Sequence, residues 1–252
     1  MAQPANRTIA LVTGANQGIG RAVATSLAKD HGFHVVVGAR RLEAGEAVAA
    51  ELRAAGCAAS AAQLDLTSDA SIAAAAAGVG DAFGRLDVLV HNAGVLLDSD
   101  SPFRQNPALP TRELFERTFQ ANVFGAACLT EALLPLLRRA AAAPRVVFVS
   151  SVMGSLAVAT DTGTPMYGID YKAYDASKTA LNMLMLNYAR ILADVGGRVN
   201  AACPGLVSTS MLGFSPQGVA PEVGARRVVE LATLGPDGPS GTFSNSDGPL
   251  PW

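Results

Sequence analysis

Residues 13–20 read TGANQGIG, and the reading of this stretch decides how the rest of the chain is understood. It follows the apolar, β-branched run TIALVT (8–13) and opens GIGRAVATSLAKDH, where apolar residues recur at helical spacing. Glycines at 14, 18 and 20 allow a tight strand-to-helix turn and a close backbone approach to a ligand. A helix starting there aims its free amides and positive dipole end at whatever lies over the turn, which suits a pyrophosphate. The spacing is G-x-x-x-G-x-G, not G-x-G-x-x-G, so the competing reading is a plain tight loop. Its position at the first strand–helix junction favours nucleotide binding through Gly14, Asn16, Gln17, Gly18, Ile19 and Gly20.

Outward from this turn, short β-branched runs alternate with longer helical patterns. Further strands are expected at HVVVGA (34–39), AAQLD (61–65), LDVLVH (86–91), RVVFVSS (145–151), RVNAAC (198–203) and GTFS (241–244). Between them lie LEAGEAVAAELRAAG, DASIAAAAAGVGDAFG and the long TRELFERTFQANVFGAACLTEALLPLLRRA. Near-continuous Val and Ile runs imply strands covered on both faces, and the β-α-β-α order implies a parallel sheet with right-handed crossovers. The expected fold is one α/β domain over residues 1–252, a sheet of about seven strands flanked by helices. Its cofactor half would be about 1–150 and its catalytic and substrate half about 145–252. The Pro/Gly-rich stretches at 98–110, 160–170, 213–221 and 235–241 read as surface loops.

Composition narrows the class. Half of the 252 residues are hydrophobic and 16% are charged, which is the make-up of a folded domain. The formal charge is −2 with no long basic run, so nucleic acid is not an expected partner. Cys57, Cys128 and Cys203 are far apart and form no CxxC, the pattern of reduced thiols in a cytoplasmic protein with no metal site. The opening MAQPANRTIALVTGANQG lacks the build of a signal peptide, and no charge-free apolar stretch of about eighteen residues suggests a membrane span.

At the end of the second strand, VVVGARRLE places Arg40 and Arg41 where an acid would hold the ribose 2′-hydroxyl of NAD. A guanidinium suits a 2′-phosphate, so NADPH/NADP+ is the expected cofactor. The alternative is that both arginines pair with Glu43 or Glu46.

The octet YKAYDASK (171–178) holds two tyrosines and two lysines. Only Tyr174 and Lys178 are four apart and share a helix face. A phenol near its free pKa of about 10 is a poor acid or base at neutral pH, and an adjacent ammonium would lower that value. Upstream, RVVFVSSVMG offers Ser150 and Ser151 at a strand's C-terminal end, and alternation lets only one of them face the cleft.

Taken together these motifs resemble the short-chain dehydrogenase/reductase family over nearly the whole chain. TGANQGIG is similar to its Thr-Gly-x-x-x-Gly-x-Gly, HNAG (91–94) to Asn-Asn-Ala-Gly, and YDASK to Tyr-x-x-x-Lys. The resemblance implies a Rossmann-type doubly wound sheet, with Ser151 rather than Ser150 as the catalytic serine. It implies that Tyr174 protonates the carbonyl oxygen, Lys178 lowers the Tyr174 pKa and holds the ribose, Ser151 bonds the oxygen, and Asn122 positions a relay water. Asp65 and Leu66 of LDL would meet the adenine side, and Asn92, Ala93 and Gly94 would lie beside the cofactor. Pro204, Gly205, Val207 and Thr209 would hold the nicotinamide carboxamide.

His91 replaces the motif's first Asn and reads as a packing residue. Twenty-three positions separate Ser151 from Tyr174, and the insertion LAVATDTGTPMYGIDYK resembles a shorter form of the segment in the carbonyl-reductase-like branch. That branch often works as a monomer, so a monomer is favoured over a homodimer or homotetramer. Against this, YDASKTALNMLMLNYARILA is apolar nearly all round and needs cover from the insertion or a partner. Expected walls of the substrate pocket are Leu96, Val152, Met153, Tyr167, Tyr171, Leu206, Met211 and Phe214, each of which could also be ordinary core. The expected reaction is NADPH-dependent reduction of an apolar ketone or aldehyde. Alternatives are alcohol oxidation, a non-catalytic dinucleotide sensor, or a sugar-nucleotide epimerase, which the short chain disfavours.

Overall fold

Residues 7–99, 103 and 106–252 are described by a computed structural model of the chain. Residues 1–6, where a leader would start, and part of the expected 98–110 loop lie outside the described residues. The strands are β1 (Ile9–Thr13), β2 (His34–Ala39), β3 (Ala58–Gln63), β4 (Val88–His91), β5 (Arg145–Val149), β6 (Arg198–Ala202), β7 (Phe243–Asn245) and β8 (Gly248–Pro249). They form one sheet in the order β3-β2-β1-β4-β5-β6-β7-β8. The first seven run parallel, and β8 pairs antiparallel with β7. The helices are α1 (Gly18–Lys29), α2 (Leu42–Ala54), α3 (Asp69–Phe83), α4 (Thr111–Phe119), α5 (Gly125–Leu137), α6 (Leu156–Thr160), α7 (Lys172–Ile191) and α8 (Pro221–Ala232).

Alternation along each strand feeds two separate cores. On β5, Val146 and Phe148 pack with Leu129, Leu133, Met185 and Tyr188 of α5 and α7. Val147 and Val149 pack on the other face with Val23 and Leu27 of α1, Val48 of α2 and Val228 of α8. A strand buried on both faces can be apolar throughout, which is why these runs lack polar alternation. The chain reverses direction of winding between β1 and β4, and the C-terminal ends of the parallel strands open a crevice there.

Three expectations need correction. The sheet has eight strands rather than about seven, because Gly248–Pro249 forms a short antiparallel return. A two-residue strand carries no periodicity; its turn is made by Asn245 Oδ1, which accepts from the Asp247 and Gly248 amides at 2.9 and 3.1 Å. The third strand lies at 58–63, not 61–65: AASAAQ has little strand propensity and is held by pairing with β2 from His34↔Ala58 to Ala39↔Gln63. The long central helix is interrupted by a π-helical turn over Gln120–Phe124, a feature often found at functional positions. The run Thr111–Leu137 is long and apolar enough to span a bilayer by length and composition alone, but Leu129, Leu133, Leu136 and Leu137 are buried in the core.

Candidate active site

The glycine turn and the loop after β4 form one unit. Gly14 and Gly18 have φ of 63° and 54°, the left-handed region that favours glycine. Thr13 Oγ1 accepts the amides of Asn92 and Ala93 at 3.0 and 2.9 Å, and Asn92 Nδ2 donates to Thr13 O at 2.9 Å. A Cβ on Gly20 would lie 2.4 Å from Asn92 Nδ2 and 2.6 Å from Gly14 O, so only glycine fits there. Helix α1 has no side-chain cap and no acid in its first turn, which leaves its amides to a ligand. Asn16 and Ile19 are half-buried, whereas Gln17 is exposed and donates from Nε2 to Ser210 Oγ at 3.2 Å. Thr209 Cγ2 would sit 3.3 Å from a Cβ on Gly18, so the segment after Pro204 and Gly205 folds back over the turn. Val207 is buried and bridges to Val219.

Beyond β2, Arg40 and Arg41 are exposed and form no ion pair among the described residues. Glu46 is taken by Arg53, which removes one of the partners considered for them. Asp65 Oδ1 accepts from the Thr67 amide and hydroxyl at 2.9 and 2.8 Å. Those bonds, with help from Arg40, hold its carboxyl below the usual carboxylate range. Leu66 is buried, and its carbonyl lies where a Cβ on Gly125 would fall.

Across the crevice, α7 brings Tyr174 and Lys178 to the end of β5. Lys178 is buried, donates from Nζ to Val149 O at 2.9 Å, and lies 5.4 Å from the centroid of the Tyr174 ring. Gly94 closes this corner: a Cβ there would sit 3.2 Å from Asn122 Oδ1 and 3.6 Å from Lys178 Nζ. Burial pulls the Lys178 ammonium down to about 8. Burial also pushes the Tyr174 phenol well above its ordinary value; Cys203 adds to this, and a hydrogen bond with Ser151 opposes it. In the protein alone, desolvation of the buried phenol outweighs the lowering expected from Lys178.

The two serines divide. Ser150 is buried and donates to Asn182 Oδ1 on α7 at 2.6 Å, so it ties strand to helix. Ser151 is partly accessible, stands beside the Tyr174 phenol, and accepts from the Met153 amide at 3.2 Å. Asn122 stands in the π turn with its side chain fully committed. Its Oδ1 accepts from Val95 N at 2.8 Å, and its Nδ2 donates to Val95 O at 2.9 Å and Ser177 Oγ at 3.0 Å. Ser177 Oγ in turn donates to Tyr174 O at 2.6 Å.

His91 is buried and stacked on Phe148 at 4.6 Å. The Thr130 hydroxyl donates to Ala126 O, so His91 Nε2 must donate to Thr130 Oγ1 at 2.8 Å. Nδ1 is left without a partner among the described residues, and burial pushes the ring down to about 3. His91 packs as a neutral ring.

The short chain dehydrogenase family profile matches residues 8–219. The chain belongs to the short-chain dehydrogenase family. It is 38% identical over 258 residues to the short-chain dehydrogenase/reductase ATR10 of Stachybotrys chlorohalonatus, covering 96% of this chain and 89% of that one. It is 33% identical over 285 residues to carbonyl reductase (NADPH) 1 of Mus musculus, covering 98% and 99%. Among solved structures, the RhlG/NADP active-site complex of Pseudomonas aeruginosa superposes with a TM-score of 0.78 at 31% identity, covering 96% and 95%. Salutaridine reductase of Papaver somniferum gives 0.76 at 28% identity, covering 94% and 99%. As a member of this family the protein is an oxidoreductase of the carbonyl/alcohol couple.

Around Tyr174 the dehydrogenase builds a small third apolar cluster from Leu96 and Tyr171, with Met153, Ile169, Met211 and Leu212 against it. Tyr171 meets the Tyr174 ring edge-on at 6.3 Å. Of the other expected wall residues, Val152 packs on the core beneath the sheet, and the Leu206 carbonyl accepts from Val219. Tyr167 and Phe214 are 56% and 68% exposed. Lys172 is an exposed partner of Asp170 at 2.7 Å and stands apart from the Tyr174–Lys178 pair. Sequence reasoning missed Ile169, Leu212 and Asp98. The last lies 75 residues from the helix it touches, and no local pattern links them.

Proposed function

We propose that this dehydrogenase reduces an apolar ketone or aldehyde to an alcohol with NADPH. The observation that carries the proposal is the convergence of Ser151, Tyr174 and Lys178 at the end of β5, beside a small apolar cluster and a helix N-terminus whose amides are left open. The cofactor half is about 1–150 and the catalytic half about 145–252. The donor set fits a dinucleotide: side-chain-free glycines, uncapped α1 amides, and the exposed Arg40 and Arg41 for a 2′-phosphate. The relatives' names, carbonyl reductase (NADPH) and an NADP complex, support the same cofactor. Bound there, the reduced nicotinamide supplies a hydride.

The chain's own residues handle the proton and the oxygen. Ser151 and Tyr174 hydroxyls hydrogen-bond the substrate oxygen, and burial keeps the phenol protonated until charge develops there. Tyr174 then gives up its proton, and Lys178 stabilises the resulting phenolate electrostatically. Asn122 supports a proton relay by holding Val95 and, through Ser177, the Tyr174 carbonyl. The apolar cluster of Leu96, Met153, Tyr171 and Met211 beside Tyr174 favours an apolar substrate.

The test is loss of reduced nicotinamide absorbance with a panel of ketones, aldehydes and quinones, run with NADPH and NADH in parallel. Tyr174→Phe should cut turnover by about 10²–10⁴-fold while NADPH still binds. Undiminished turnover would remove Tyr174 from the reaction.

A further inference from the structure

Helix α7 carries Tyr174 and Lys178, yet Tyr171 at its N-cap makes no side-chain capping bond. Its first amides are satisfied from a distant loop. Asp98 Oδ1 accepts from Ala173 N at 3.1 Å, and Asp98 Oδ2 accepts from Tyr174 N at 3.2 Å. Asp98 is 2% exposed and lies four positions beyond Gly94 in the segment that follows β4. That segment is anchored independently: Asn122 clamps the Val95 amide and carbonyl, and Asn106 Nδ2 donates to the carbonyls of Leu96 and Asp98 at 3.3 and 3.0 Å.

We infer that Asp98 is a positioning residue for the reaction, fixing the backbone of Tyr174 and so the place of its phenol against the substrate oxygen. The inference rests on the reading of Tyr174 as proton donor. A carboxylate bonded to two amides is a charge-assisted, two-point attachment that sets both the height and the rotation of the helix start. One of the two amides belongs to Tyr174 itself, so a slip at Asp98 passes directly to the reacting group. The arrangement persists against an electrostatic cost, since Asp175 and Asp98 lie close enough for their charges to oppose each other.

The test compares Asp98→Ala, Asp98→Asn and Tyr174→Phe in the full chain, with kcat expressed per NADPH site counted by fluorescence titration. Asp98→Ala should lower kcat per site by about tenfold or more, because a misplacement near 1 Å can cost about 10²-fold. Asp98→Asn keeps one acceptor oxygen and should recover part of that loss. In both variants the NADPH dissociation constant should stay within about twofold, and the solvent deuterium isotope effect on kcat should rise as proton transfer becomes limiting.

An unchanged kcat per site in Asp98→Ala overturns the inference. Equal losses in both Asp98 variants, with no change in isotope effect, would also overturn it by showing a merely structural role. If Asp98→Ala does not fold, Asp98→Asn decides: normal kcat and isotope effect overturn the inference. Turnover persisting in Tyr174→Phe would instead overturn both readings, which separates the two failures.

Discussion

Two helices start beside the same crevice and begin in opposite ways. Helix α1 has no side-chain cap and no acidic residue in its first turn, so its amides face outward unclaimed. Helix α7 starts with Asp98 on its Ala173 and Tyr174 amides and with Asp175 in its first turn. Both starts have the same electrostatic character, a partial positive charge from unsatisfied N–H groups. One start carries neither a side-chain cap nor an acid, and the other is closed by a carboxylate of the chain. The difference teaches that two starts with the same dipole can be left without a carboxylate or closed by one, and that the closed start fixes the side chains its helix carries.

The sharpest way to break the comparison is to distort the open start. Gly20→Val should abolish measurable NADPH binding, since even the Cβ would fall 2.4 Å from Asn92 Nδ2 and 2.6 Å from Gly14 O. Fluorescence titration, with circular dichroism to confirm a folded chain, checks this. Binding like the parent's would show that the α1 start is not the cofactor seat.

A smaller effect is expected farther out. Arg40→Ala should weaken NADPH by about tenfold and leave NADH nearly unchanged, the scale of one charge-assisted contact to a phosphate. Equal losses for the two cofactors would remove the argument for a 2′-phosphate.

The smallest effect concerns the closed start. Burial, with Asp98 and Asp170 nearby, raises the Asp175 carboxyl from 3.8 to about 7, and its buried Oδ1 has no partner among the described residues. A raised folded-state value means that ionising Asp175 opposes folding, so its cost grows as pH climbs from about 4 toward 7. Asp175→Asn should therefore raise the melting temperature by a few degrees at pH 8, with the gain fading toward pH 4. A gain independent of pH would show that the amides of α7, not the carboxylates, govern Asp175.

Much of the site was legible because its chemistry is local in sequence. The glycines of 13–20 lie within one turn, and Tyr174 and Lys178 lie one helical turn apart, so strand–helix order and spacing suffice to place them. Ser150 and Ser151 differ by one position, and alternation alone could say only that one of them faces the crevice. Which one does so follows from Asn182, 32 residues downstream, taking the Ser150 hydroxyl. The π turn at Gln120–Phe124 was hidden because its residues continue an unbroken helical pattern.

By itself, the sequence determined the alternating α/β order, the glycine turn, and the tyrosine–lysine pair, because each depends on backbone conformation within a few residues. Only the tertiary structure decided the eighth strand, the placement of β3, the raised phenol of Tyr174 and the Asp98 cap on α7. These depend on burial and on partners far away in the chain, and hydrogen bonding and desolvation are set by what surrounds a group in space rather than by its neighbours in sequence.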